Sequence, residues 1–598
     1  MLNNSTLRIG GRDTFYMNSL YYGDNIDVLR KYIKDDSVKL CYIDPPFNSK
    51  RNYNLIYNNI GEEDFAQTQA FVDTWTWDDS AEYSLTEIKT NAAGGYSSQT
   101  VELIIGLENV LKKGTLLSYL VNLTQRIQEV YRILTFDGTF FLHCDPTASH
   151  YLKIICDSIF CSRKGQFQNE IVWRRTGAHN KIKRFGPIHD IILFYSKTSN
   201  FTWNNPKRPY MLGHVDEYFI KENNSYRTNY YGNVLTGSGT RNGDSGKPWR
   251  GFDPTQKGRH WAIPGALLDD IDDDLSALNV LEKLEYFYEK GYIKIIEGQA
   301  WPIYEHKIYQ NDGQPVSDIW AFQPYTGKTV FGTTHGIDED VRWLSPKDKE
   351  RLGYPTQKPE GLLRRIIKSC TNEGDLVLDA YCGCGTTVSV AQDTGRNWIG
   401  IDITYHSISL ILRRLAGSFG EKILENIELN GAPRDFNSAV SLADNPNDKT
   451  RKEFEKWSVL LYSNNKAAIN AKKGGDRGID GIAYFVDGSP AGEALIKKVI
   501  FSVKSNITMI PHFVRDLYGT VEREKAACGV LITLYDAPNL LKEAKTYGKF
   551  THSFLGTEYD KISIVSIKEI LSGARLNLPL SLEVMKKAER SAQQKELF

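Results

Sequence analysis

The chain has 598 residues, with 73 Lys plus Arg set against 73 Asp plus Glu, so its formal net charge at pH 7 is zero. That length implies roughly three domains, and a hydrophobic fraction of 41% is enough for ordinary globular cores. Zero net charge excludes a uniformly basic surface, so any nucleic-acid contact must be local and balanced elsewhere.

The apolar run Val38-Lys39-Leu40-Cys41-Tyr42-Ile43 is halted by Pro45 and Pro46 and reads as a buried strand with a sharp turn at its end. The turn is Asp44-Pro45-Pro46-Phe47. Proline lacks an N–H, so the carbonyls around Pro45 can only accept, and with the Asp44 carboxylate they form an acceptor-only pocket. Phe47 adds a stacking ring, and the composition suits an exocyclic amino group on a flat heterocycle. Asn48 to Asn54 is polar and basic, so Lys50 and Arg51 are expected on a loop facing an extruded nucleotide and its phosphates. Residues 61–115 show weak periodicity and are expected to form a mobile insertion that orders on DNA. Helical spacing follows from Tyr119 to Leu134, and Gly138 to His143 reads as a further buried strand, with His143 at its carboxyl end more often structural than substrate-touching.

Between Ser162 and Phe185 seven basic residues, Arg174 and Arg175 among them, stand against Glu170 alone, as either a phosphate-contacting strip or a solvated charged face would. Asp190 to Tyr195 is another strand. Residues 200–345 are rich in Tyr, Trp, Gly and Asn, and Arg250 and Arg259 lie among tryptophans and glycines as base-edge reading requires. Asp375 to Asp379 then reads as a strand, Tyr381-Cys382-Gly383-Cys384-Gly385 as a tight glycine turn, and Thr386 or Thr387 as the cap of a helix ending near Gly395. Trp398 to Asp402 is the next strand, with an acidic end able to bond ribose hydroxyls. The full G-x-G-x-x-G of dinucleotide sites is absent, because Val388 occupies its last position. A helix is expected over Ser407–Ala416, and a polar, proline-broken linker over 437–451.

The eight cysteines contain no C-x-x-C, which argues against a zinc site or a disulfide framework and suits a reducing cytoplasm. No signal core opens the sequence and no uncharged run is long enough for a bilayer, so a soluble cytoplasmic protein without membrane contact is expected.

Taken together, these segments resemble the beta-class amino DNA methyltransferases that act on adenine N6 or cytosine N4, and are similar to type III modification subunits. Asp44-Pro45-Pro46-Phe47 resembles the catalytic motif and Tyr381-x-Gly383-x-Gly385 the cofactor loop, with Tyr for the family's Phe. Thr356-Gln357-Lys358-Pro359 resembles the segment before that loop, and Tyr22-Gly23-Asp24-Asn25 the segment whose aspartate contacts the cofactor adenine. The resemblance covers roughly residues 20–195 and 350–415, with the catalytic motif before the cofactor loop. It implies an α/β fold, an S-adenosylmethionine-dependent Rossmann-like sheet with an inserted target-recognition region. The methyltransferase halves would be 1–199 and 346–436, around a recognition region at 200–345. Catalytic roles would fall to Asp44, Pro45, Pro46 and Phe47, and S-adenosyl-L-methionine would meet Asp24, Lys358, Asp379, Tyr381, Gly383, Gly385, Thr386 and Asp402. No metal is needed for that step. The implied function is adenine-N6 methylation of double-stranded DNA, in a restriction-modification system or as an orphan enzyme, with cytosine N4 as the alternative base. A homodimer or a restriction subunit as partner is compatible with this order.

The C-terminal part, 452–598, resembles the Mrr-like branch of the restriction-endonuclease fold over about residues 452–575. The resemblance implies that Asp480 and Lys504, with Glu455 as a third ligand, would hold Mg²⁺ and an attacking water. Ser502 stands where that pattern has a carboxylate or Gln, and a hydroxyl binds Mg²⁺ poorly, so a DNA-holding relic is expected rather than a cleaving nuclease. A bifunctional restriction-modification enzyme is the rival.

Overall fold

All six residues of strand β2, Val38–Ile43, are buried, as a strand covered on both faces of a parallel sheet requires. The structure is a computed structural model and describes residues 7–9, 12–14, 18–46, 51–55, 68–73, 77–176, 183, 185–222, 225–228, 235–269, 271, 273–304, 307–308, 313–324, 328, 336–345, 348–352, 354, 356–433, 435–444, 448–464, 466–469, 478–487, 496–553 and 556–577. β2 lies inside a nine-stranded sheet with β1 (Asn18–Tyr22), β3 (Leu134–Cys144), β4 (Gln166–Arg174), β5 (His189–Ser196), β6 (Ile319–Trp320), β7 (Leu376–Asp379), β8 (Asn397–Asp402) and β9 (Ile427–Asn430). The order across the sheet is β6-β4-β5-β3-β2-β7-β8-β1-β9. Only β5 runs against the rest, pairing antiparallel with β3 and β4. The expected mixed α/β sheet is present, and the β2–β7 pairing joins its two sequence halves.

Helix α1 (Asn25–Tyr32) follows β1. The insertion expected to be mobile instead holds α2 (Asp79–Thr90) and α3 (Ser98–Leu111), which lead into α4 (Thr115–Ile133). Asp78 and Ser97 cap α2 and α3, and Thr100 Oγ1 donates to Ser158 O at 3.1 Å on α5 (Ser149–Phe160). These anchors are polar and tertiary, which is why apolar periodicity misses them. Helices α6 (Glu360–Cys370) and α7 (Thr386–Asp393) flank β7, and α8 (Tyr405–Phe419) follows β8.

Where a linker was expected, α9 (Phe436–Ala443) is capped by Asp435, and α10 (Asp448–Tyr462) begins soon after. The side chain of Ser438 returns the cap, a capping box that substitutes for apolar periodicity. The C-terminal sheet is ordered β10-β11-β12-β13-β14, from Ala468–Ile469, Gly481–Val486, Ile496–Lys504, Cys528–Thr533 and Ile562–Ser566. It falls in the same compact unit as the large sheet, made of Met1–Asn205, Asp318–Ala321 and Asp340–Ala592. Glu453 of α10 accepts the Tyr405 N–H at 3.1 Å and hydrogen-bonds Tyr22 at the end of β1.

The second compact unit comprises Pro206–Ser317 with Phe322–Glu339. Its core gathers Leu235, Trp249, Trp261, Leu284, Phe287 and Tyr304. All eight cysteines are free thiols, and among the described residues no helix is long and apolar enough to cross a membrane.

Candidate active site

The pairs Leu40–Val377 and Tyr42–Asp379 align β2 with β7, so Asp44-Pro45-Pro46 emerges beside the turn that follows Asp379. In an open α/β sheet, ligands sit at these carboxyl ends. Asp44 is half-buried and forms an ion pair with the Lys358 ammonium. Lys358 Nζ also donates to Thr356 O at 3.3 Å, and the Lys358 carbonyl accepts from Thr386 Oγ1 at 3.4 Å. The lysine expected at the cofactor thus pairs with the carboxylate expected to be catalytic. Pro45 is buried and Pro46 partly so, while Phe47 and Lys50 lie outside the described residues.

The glycine turn is sterically enforced. Gly383 and Gly385 have φ of 52° and 73°, in the left-handed region. A Cβ on Gly385 would stand 2.7 Å from Ile411 Cγ1, and one on Gly383 would stand 3.1 Å from the Tyr354 ring. Gly385 itself, not a threonine, is the N-cap of α7. Thr387 Oγ1 is drawn away to Asp379 Oδ2 at 2.6 Å, and Thr386 Oγ1 accepts from Arg414 Nη1 at 3.0 Å. The stronger carboxylate and guanidinium partners outcompete the cap.

Three carboxylates surround this turn. Asp379 also accepts the Tyr381 N–H at 2.9 Å, and burial pushes it up to about 7 despite these bonds. Asp402 accepts Gly383 N–H and Thr404 N–H, each at 2.9 Å, and burial lifts it to about 6. Asp24 caps α1 through Ile26 N–H at 3.1 Å and pairs with Arg126 Nη2 at 2.7 Å. Arg126 Nε donates to Asn25 Oδ1 at 2.5 Å, and Asn25 Nδ2 donates to Ala380 O at 2.8 Å. This clasp joins the Asp24 segment to the β7 turn. Arg126 escaped sequence reasoning because nothing local marks one arginine in an amphipathic helix. Tyr381 packs on the apolar core beneath.

His143 is fully buried, so it serves the frame rather than touching substrate. Its Nδ1 is 2.9 Å from the Tyr42 hydroxyl and its Nε2 is 3.2 Å from Asp190 Oδ2. Arg175 Nη1 stands 3.1 Å from the other Asp190 oxygen. Burial would raise the Asp190 carboxyl, but His143, Lys358 and Arg175 hold it below the usual range.

The other basic residues named for DNA are differently engaged. Arg174 lies over the Trp343 ring at 5.1 Å. Arg250 forks onto Glu285 over the Tyr288 ring, and Arg259 Nε donates to Thr236 Oγ1 at 2.7 Å, so both brace their own unit. Arg51 lies on a strand, Arg51–Leu55, paired with Thr68–Asp73.

In the C-terminal sheet, Asp480 precedes β11 and Lys504 ends β12, and the Gly481–Phe501 pairing sets them at one end. Asp480 Oδ2 accepts the Val503 N–H at 2.7 Å, and Lys504 Nζ lies 5.7 Å from the Phe513 ring centre. Ser502 is buried, and Glu455 is on α10. Among the described residues no three His, Cys, Asp or Glu side chains cluster as a metal set.

Residues 38–413 match a family described as DNA methylase, which is more than half of the chain. The chain belongs to that DNA methylase family. Residues 448–555 match a second family, described as restriction endonuclease. The methylase part is 27% identical over 307 residues to the Type II methyltransferase M.EcaI of Enterobacter cloacae, half of this chain and 58% of that protein. It is 45% identical over 93 residues to the DNA adenine methyltransferase YhdJ of Escherichia coli, 16% of this chain and 30% of that one. The chain thus spans less than two thirds of the length of these relatives. Among solved structures, a DNA modification methylase from Thermus thermophilus, complexed with S-adenosyl-L-methionine, aligns over 70% of this chain and 99% of its own at 14% identity, with a TM-score of 0.29.

Proposed function

We propose that the DNA methylase domain transfers a methyl group from S-adenosyl-L-methionine to adenine N6 in double-stranded DNA, in the cytoplasm. The observation that carries this reading is the β2–β7 pairing, which sets an acceptor-only strand end against a glycine turn that no side chain could occupy. The residues fit the cofactor: the glycine turn bends back at the carboxyl edge of the sheet, and Asp24 and Asp402 stand at flanking strand ends as acceptors for an adenine amine and ribose hydroxyls. S-adenosylmethionine supplies a methyl group on a positively charged sulfur.

Asp44 and the Pro45 carbonyl would take the two amino hydrogens of an extruded adenine, with Phe47 stacked on its ring. Held that way, the nitrogen lone pair would leave conjugation and be free to act as the nucleophile toward the methyl group, and the proton released from the nitrogen would pass to Asp44 or to water. Lys358 pairs with Asp44 and orients its carboxylate as an acceptor. Arg175, with Lys50 and Arg51, would contact phosphates.

Nucleoside mass analysis of duplex DNA incubated with the chain and S-adenosylmethionine tests this, with Asp44→Ala as control. N6-methyladenine that vanishes in the variant is the expected result. N4-methylcytosine would keep the mechanism and change the base, and activity retained by Asp44→Ala would overturn the reading. A second reading, in which the C-terminal domain cleaves DNA with Mg²⁺ held by Asp480 and Glu455, is supported by the restriction endonuclease family match over residues 448–555. Cleavage lost in Lys504→Ala would support it.

A further inference from the structure

A polar chain crosses four strands under the catalytic strand end. It runs from Tyr42 on β2 to His143 on β3, Asp190 on β5 and Arg175 just past β4. Tyr42, His143 and Asp190 are 2% exposed or less, whereas the Arg175 side chain is 36% exposed. Buried ionised carboxylates are costly and persist only with good partners. Here one Asp190 oxygen faces His143 and the other faces Arg175. The imidazole cannot turn freely, because Trp173 packs edge-on against it at 5.7 Å and is itself tied by its indole N–H to Val341 O at 2.7 Å. In the tautomer that donates Nε2–H to Asp190 and leaves Nδ1 bare, the Tyr42 hydroxyl donates to Nδ1. Tyr42 lies two residues before Asp44, in the last pleat before the strand ends at Ile43.

We propose that Asp190 is a positioning residue of the transfer site, holding Tyr42 beneath the catalytic strand end through His143 and holding Arg175 against a DNA backbone phosphate. The inference rests on the methyl-transfer reading. A single buried carboxylate thereby ties the backbone contact to the floor of the base pocket. Asp190 is buried within the sheet and reaches the strand end only through His143 and Tyr42, so its loss is expected to slow the transfer more than it weakens cofactor binding.

The test is a double-mutant cycle of Tyr42→Phe and Asp190→Asn in the full chain, with methyl transfer read in a single turnover at saturating S-adenosylmethionine and duplex. Thermal melting confirms that each variant is folded. Each single change is expected to slow transfer by about 10- to 100-fold. The double variant should lose no more than the weaker single one, with S-adenosylmethionine Kd unchanged. Asp190→Asn and Arg175→Ala, but not Tyr42→Phe, should each reduce the salt slope of DNA binding by about one. Folded variants with wild-type rates, or losses that multiply, would overturn the proposal. If Asp190→Asn does not fold, the pair Tyr42→Phe and His143→Gln carries the same cycle. A wild-type chain without methyl transfer overturns the functional reading, and this inference with it. Transfer with independent losses overturns this inference alone.

Discussion

Lys358 and Asp44 lie 314 residues apart in the chain and form an ion pair at the mouth of the sheet. The pair fuses two motifs that the sequence keeps separate. Its lysine side chain is 9% exposed and its carboxylate 16%, so the contact is largely shielded from solvent screening.

Replacing Lys358 with Met should strand the Asp44 carboxylate without its cation. Methyl transfer should fall by about 100-fold, as for loss of a group that orients a catalytic acceptor. Steady-state kinetics on duplex DNA measures this, and an unchanged kcat would show that the pair is not used in turnover.

Gly385→Ala should be strongly destabilising. It forces a Cβ into a left-handed residue and to within 2.7 Å of Ile411 Cγ1. A loss of about 1–3 kcal/mol is expected from the backbone alone, read as a lower melting temperature. S-adenosylmethionine binding by calorimetry should weaken with it, because the same turn shapes the cradle.

Stability should fall as pH rises. Asp379 and Asp402 are pushed up to about 7 and about 6 from 3.8, chiefly by burial. The native chain thus retains protons that the unfolded chain has already released. This contribution is complete below the unfolded carboxyl value and is lost as pH climbs through the folded values. The ligand-free chain should melt higher at about pH 5 than at about pH 8. Asp379→Asn should flatten that dependence, and an identical slope in the variant would contradict the assignment.

Glu453→Ala should uncouple the two sheets. It removes the acceptor of the Tyr405 N–H and the partner of the Tyr22 hydroxyl, at a cost of about 1–3 kcal/mol for donors left unsatisfied. Differential scanning calorimetry should resolve two transitions where the parent chain unfolds more nearly as one.

The motif segments were legible because their composition is local. Two prolines stop β2, and two glycines permit the turn after Asp379, so Asp44 and Gly385 announce themselves within a few residues. The partners of those residues are set by tertiary pairing. Nothing near Arg126 indicates that it will clasp Asp24 and Asn25, and nothing near Asp190 indicates that it will hold both His143 and Arg175. Arg250 and Arg259 were marked only by their setting among aromatics, and that setting does not announce Glu285 and Thr236 as the partners of their guanidinium groups. Helices α2, α3 and α9 were missed because their apolar stripes are short, such as Ala81, Leu85 and Ile88 in α2 and Ala439 and Ala443 in α9, and caps at Asp78, Ser97 and Asp435 complete them.

The contact of Glu453 with Tyr405 also bears on how this architecture can change over generations. Beside it, His406 is buried and pushed down to about 3, first by burial and then by the charge of Lys456 on α10. A gene shortened ahead of α10 would lay that imidazole open to water and deprive Tyr22 and Tyr405 of their shared acceptor. The C-terminal domain is therefore not freely exchangeable cargo. A lineage that discarded or swapped it would need compensating changes at positions 22, 405 and 406 of the methylase part, and those three sites are where a descendant's history would be recorded.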